Sequence, residues 1–352
     1  YARAEATAQV FLRVRIGCAK CHNHPFDRWT QADYHAFAAF FARVDYRVLE
    51  NKRRDNLDSH EFDGEQVVYQ KRAGELLHPV TKAPLLPRFL GGKELPSGDR
   101  LSRLAEWIAA PSNPWFARAQ ANRVWAHLVG RGLVDPVDDA RESNPAASEP
   151  LLDALAQDLI GHEFDLRHLV RRIMLSRTYQ RSWVPNGTNR DDETGLSRAL
   201  VRPLQAEVLL DAAAQVCGAR PSFPGMPAGT RAVQLPGLGG RRKGEGEKFL
   251  ASFGKPPRSL SCECERSDDS TLAQALQLLA GPTLAGLLER EDNVLGKKPD
   301  LDRLYLAALC RPPTRAEREA AATILARGKD RRAAWEDLLW SLLNAKEFLL
   351  RR

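Results

Sequence analysis

The chain has 352 residues, 43% hydrophobic and 28% charged, with a formal net charge of +7. That length exceeds what one hydrophobic core usually serves, so a soluble protein of two domains is expected, and the composition excludes fibrous and low-complexity classes. No apolar run nears the ~18 residues of a membrane helix, and basic residues alternate with acidic ones, the longest basic cluster being Arg241-Arg242-Lys243, so neither a transmembrane segment nor nucleic-acid binding is expected.

The chain opens on Tyr1 rather than Met, which reads as a processed or truncated product. Apolar spacing predicts a first helix over Ala2 to Ile16, and Thr30 is placed to cap a second one. The second helix carries an aromatic stripe, Tyr34, Phe37, Phe40 and Phe41, suited to plain core or to a ring-shaped cofactor. From Val44 to Gly92 the periodicity fades into strand-like pieces such as Gln66 to Tyr69 and a Pro-punctuated stretch, His78 to Pro87. Helical patterning returns over Arg100–Ala110, Asn113–Val129, Ser148–Ile160, Asp165–Ser176 and Arg198–Cys217. A long Pro/Gly-rich segment, Gly218 to Arg258, reads as loop, including Gly237 to Gly240, which lacks the Lys-Ser/Thr ending of a phosphate loop. Asn186-Gly187-Thr188 reads as a turn. Further helices are expected over Ser270–Leu279, Ala285–Glu291, Asp300–Leu309, Thr314–Ala326 and Arg332–Leu349. The fold expected is mainly α, multi-helical and in two parts, 1–95 and 96–352, with irregular loops and a few short strands.

Residues 18 to 22 read Cys-Ala-Lys-Cys-His. This CxxCH pattern attaches a c-type haem: Cys18 and Cys21 form thioethers to the two vinyl groups, and His22 binds the iron. Two intervening residues separate the sulfurs by about the distance between the vinyls. A CxxC disulfide or half of a zinc site is the competing reading. His24 stands too close in sequence to reach the far side of a haem and is read as structural, with Asp27 as its expected partner. His60, His78 and Met226 are the candidates for the sixth ligand. A second thiol pair, Cys262 and Cys264, cannot easily close on itself. It either pins the long loop through another cysteine or joins Cys18 and Cys21 in a four-thiolate zinc site. Cys217 and Cys310 are expected to be buried free thiols.

The run from Val10 to Trp29, with Asp33-Tyr34 and Phe37 to Phe41, resembles the C-terminal part of the planctomycete cytochrome-c-like domain family. Later stretches resemble the domain of unknown function that accompanies it. They are Asn113 to Arg118, Asn122 to His127, Gly130 to Asp139, Ser176 to Gln180, Cys262 to Arg266 and Leu343 to Phe348. The resemblance implies an extracytoplasmic protein whose family name presumes haem. Haem c attachment in bacteria takes place outside the cytoplasmic membrane, so a periplasmic or extracellular site and a redox partner protein are expected. The alternative is a zinc module, ligated by cysteine, serving the cell's surface glycan machinery. Two further constellations bear on it. Asp135, Asp138 and Asp139, with His127, could serve hydrolysis, or Asp138 and Asp139 could cap helices or pair with Arg123 and Arg131, and Trp115, Trp125 or Trp183 could stack on sugars or belong to the core. Whether the chain is an enzyme is left open by its sequence.

Overall fold

Ser, Thr and Asp at helix starts supply the first oxygen acceptors for otherwise unpaired backbone N–H groups, and this rule sets much of the architecture. The computed structural model describes residues 1–52, 64–92, 95, 98–192, 194–235, 244–256, 266, 271–296, 298–328 and 330–351. They form two compact units, Tyr1–Gln180 and Arg181–Arg352. The described residues are mainly helical, with two small antiparallel pairs of strands.

In unit 1, helix α1 (Ala2–Leu12) stops at Arg13, which takes the left-handed conformation, φ 61°. The apolar periodicity runs on to Ile16, but Val14 and Ile16 reach the core from non-helical chain. Helix α2 (Gln31–Ala38) begins with a reciprocal cap: Thr30 accepts from the Asp33 N–H while Asp33 accepts from the Thr30 N–H. The aromatic stripe is core: Tyr34, Phe37 and Phe40 are fully buried, with Ala4, Ala8 and Leu12 of α1 among their neighbours. Strands β1 (Val44–Asn51) and β2 (Gly64–Gln70) pair in register Val44↔Gln70 with a bulge at Val48/Glu50. Helix α3 (Arg100–Ala109) adds Leu104 and Ile108 to the core and stacks Trp107 on Phe89. Helices α4 (Phe116–Val129), α5 (Glu149–Gly161) and α6 (Leu166–Met174) pack on one another. Ser148 and Asp165 cap α5 and α6.

In unit 2, strand β3 (Arg202–Pro203) precedes helix α7 (Ala206–Cys217), which therefore starts later than its apolar pattern suggests. Pro203 holds the residue before it extended. Helix α8 (Glu245–Ser252) occupies the stretch expected as loop; Glu247 accepts from the Gly244 N–H, and Phe249 and Leu250 are fully buried. Helices α9 (Leu272–Ala280), α10 (Pro282–Glu289), α11 (Leu301–Leu309) and α12 (Arg315–Arg327) follow, then α13 (Arg331–Leu343) and α14 (Lys346–Leu349). The chain returns as β4 (Leu350–Arg351), paired with β3. Helix α7 is central, with α8, α10 and α11 around it. Its end needs Gly218, at φ +66° with Val294 close to where a Cβ would stand. Among the described residues no helix is long and apolar enough to cross a membrane.

Candidate functional site

The left-handed Arg13 turns the chain out of α1 into a surface turn, the 3-10 helix Gly17–Lys20. Ala19 is its anchor, fully buried, while Cys18, Cys21 and His22 face solvent. Both thiols are free. Helix α2 fixes the far side of the turn: Gln31 Nε2 donates to the Lys20 and Cys21 carbonyls at 3.2 Å each, and the Gln31 N–H donates to Asn23 Oδ1 at 3.0 Å. Nδ1 of His22 lies 2.7 Å from the Asn23 carbonyl. A carbonyl only accepts, so Nδ1 carries the proton and the Nε2 lone pair is left for a ligand. His24 is structural, its Nδ1 accepting from the Phe26 N–H at 3.2 Å; Asp27 accepts instead from the Arg28 N–H. Two exposed thiols and an imidazole with a free Nε2 on one braced turn are a donor set that fits covalent haem attachment.

His78 is half-buried, and its Nδ1 accepts from the Val80 and Thr81 N–H groups at 3.2 and 3.1 Å. Its proton therefore sits on Nε2, the opposite tautomer to His22. His78 is one of the charges felt by the buried His35, although burial itself is the main cause that lowers the His35 imidazole. Met226 belongs to unit 2 and packs against that unit's core. His60, Gly237 to Gly240, Cys262 and Cys264 lie outside the described residues. Cys217 is buried, which pushes its thiol up to about 12. Cys310, expected to be buried, is exposed, because α11 ends at Leu309 and Cys310 turns left-handed, φ 53°, as its cap.

The acidic residues of the Gly130-to-Asp139 stretch are tied up by arginines. Asp138, 1% exposed, accepts from Arg15 at 2.5 Å and from Gln9. Asp139 lies 2.7 Å from Arg141 and 3.7 Å from Arg15, and Asp135 pairs with Arg131 at 3.6 Å. Asp138 and Asp139 are thus paired, but with Arg15 and Arg141 and not with the expected Arg123 and Arg131; Arg123 donates to the Val10 and Gln9 carbonyls. The fully buried Asn122 holds this loop by giving its Nδ2 to the Val134 carbonyl and taking the Val134 N–H.

Sequence reasoning missed a polar cleft of about 580 Å³ in unit 1, lined by Arg13, Arg28, Trp29, Trp115, Arg118 and Glu149 among others. The Arg28 guanidinium lies 4.8 Å from the Trp29 ring and 5.7 Å from the Trp115 ring. Arg13 is only 3% exposed, with Nε and Nη1 buried and unpartnered. Burial, aided by the nearby Arg118, brings its guanidinium down to about 10. The available signal was Arg13 within the otherwise largely apolar run Val10 to Ile16, which also carries Arg15. Of the tryptophans weighed for sugar stacking, Trp125 is buried, Trp115 lines this cleft half-buried, and Trp183 is exposed.

No curated protein and no solved structure matches the chain. Residues 1–46, which include the CxxCH turn, match the family PSCyt2, described as a protein of unknown function (DUF1549). Residues 100–325 match PSD1, likewise described as a protein of unknown function (DUF1553). Since that second match spans more than half of its length, the chain belongs to the PSD1 family.

Proposed function

We propose that this chain is an extracytoplasmic haem c protein that passes electrons to or from a redox partner protein. One observation carries the reading: Cys18 and Cys21 stand free and exposed on a single braced turn, beside a His22 whose Nδ1 is occupied and whose Nε2 is not. Cys18 and Cys21 would hold haem as thioethers, each by addition of its S–H across a vinyl double bond, which needs no oxidant. His22 Nε2 would ligate its iron. Bound there, haem contributes a one-electron centre.

The chain's own residues keep the attachment point rigid. Buried Ala19 and the three hydrogen bonds from Gln31 restrain the turn. The Asn23 carbonyl fixes the His22 tautomer and makes the imidazole a stronger donor. A bond from His78 Nε2 would require releasing the two N–H groups that its Nδ1 accepts. With His78 as a second ligand the group would be an electron carrier, and with an open position it would do small-molecule chemistry.

The test is expression in a host with haem-attachment machinery, followed by haem staining of a denaturing gel with Cys18→Ala as control. A stained wild-type band, weakened by the substitution, is expected. An unstained band from a competent host, with zinc in the wild type that is lost in Cys18→Ala, overturns the proposal in favour of a cysteine-ligated zinc site.

A further inference from the structure

Helix α5 carries Asp158 one turn before its end, and His162 follows the last helical residue, so the two side chains share a face at i, i+4 spacing. Glu163 and Phe164 are both left-handed, φ 53° and 61°, and reverse the chain. Asp165 then accepts from the Arg167 and His168 N–H groups and starts α6, which brings His168 back over the end of α5. The result is a cluster that nothing in the composition announces. His168 Nε2 lies 3.0 Å from Asp158 Oδ2, and His162 Nδ1 lies 3.6 Å from Asp158 Oδ1 and 2.8 Å from the Asp158 carbonyl. The imidazoles stack with centroids 3.6 Å apart and planes 13° from parallel.

We propose that Asp158, His162 and His168 bind one divalent transition-metal ion, zinc first among them, at a site separate from the CxxCH turn. The three residues offer one ligand atom each, and these atoms all lie within 4.8 Å of one another. In a tetrahedral zinc site with bonds of about 2.0–2.1 Å, neighbouring ligand atoms stand roughly 3.4 Å apart. Closure therefore takes shifts of about 1 Å, within reach of small side-chain rotations. His162 is the free arm, its side chain 48% exposed, while Asp158 and His168 are 21% and 25% exposed. Two imidazoles and one carboxylate are the donor set of zinc sites that keep a fourth position for water or substrate. The competing cation is Arg172, whose Nε stands 3.7 Å from Asp158 Oδ2 on a side chain 64% exposed, so it can swing away. In the metal-free chain the Asp158–His168 hydrogen bond staples α6 to α5, holding two of the three ligands in place.

Zinc competition titration of the untagged full chain against a chromophoric chelator tests this, with cobalt absorption as a second readout. The variants are Cys18→Ser/Cys21→Ser, His162→Ala, His168→Ala and Arg172→Ala, with circular dichroism to confirm folding. One equivalent of zinc is expected to remain in the cysteine variant. Affinity should fall about 100-fold or more in His168→Ala and at least 10-fold in His162→Ala, and tighten several-fold in Arg172→Ala. Cobalt should give a ligand-field band without thiolate charge transfer. Zinc that leaves with the cysteines yet stays in His168→Ala overturns the proposal, as does a folded wild-type chain that binds none. Neither result bears on haem staining, so the two readings stand or fall separately.

Discussion

In unit 2 the buried Lys255 ammonium lies 3.1 Å from Glu207, which also takes Arg266 at 2.9 Å. In unit 1 the equally buried Arg13 has Nε and Nη1 without a partner beside a polar cleft. The difference teaches what each charge is for. Burial alone would raise the Glu207 carboxyl, but Arg266 and Lys255 outweigh it and hold it at about 2. That cluster is closed and its members lock α7 to the chain around Lys255. Desolvation and the neighbouring Arg118 lower the Arg13 guanidinium, Glu149 only partly offsets them, and Nε and Nη1 gain no hydrogen-bond partner. A closed cluster fixes structure, whereas an open cation is tolerated only where solvent or a ligand reaches it.

The contrast breaks most visibly at Glu207. Glu207→Gln removes the anion between two cations and should destabilise the chain by about 3 kcal/mol in urea unfolding. A loss under about 1 kcal/mol would mean that the Leu235 carbonyl, which already accepts from Lys255 at 3.3 Å, is enough to hold its ammonium. The wild-type carboxyl sits at about 2 in the folded chain and 4.5 as its ordinary value. Its stabilisation is therefore complete above about pH 4.5 and disappears as pH falls toward 2. Acid titration of unfolding should show this slope in the wild type and not in the variant.

Asp138→Asn in unit 1 is expected to lose somewhat less, about 2 kcal/mol, because an amide keeps one acceptor for Gln9 or Arg15. Arg13→Met sharpens the comparison from the other side. With no ion pair to lose, it should change stability by under about 1 kcal/mol, and a loss above 2 would show that something in solution pairs with this guanidinium. The smallest effect is chemical. In the native chain an alkylating reagent should modify Cys310 at least tenfold faster than the buried Cys217, read by mass spectrometry of the digested protein.

Caps and motif were legible in the sequence, as at Thr30 with Asp33, Ser148, Asp165 and Thr314, each of which accepts from the first turn of its helix. The same rule failed for α8, since Gly244 and Gly246 flank its start in a Pro/Gly-rich stretch and the signal comes only from Glu247. It failed again at Arg13, because a left-handed arginine has no compositional mark and apolar residues continue beyond it. The CxxCH residues were plain to read, but the tautomer of His22 needed the carbonyl of Asn23. Asp158, His162 and His168 escaped notice for a geometric reason: their spacing crosses a helix end and a chain reversal, where no single periodicity applies.

Strands β3 and β4 pair Arg202 with Arg351, so unit 2 begins its helices and ends them at the same place. A mechanical load applied at those two residues meets the two-residue ladder end-on and peels it one hydrogen bond at a time. The ladder would part before tension reached α7, leaving the helices around it packed. Unit 2 would then behave as a clasped link whose clasp yields first, and tethered pulling at 202 and 351 would record a small early extension ahead of the main unfolding event.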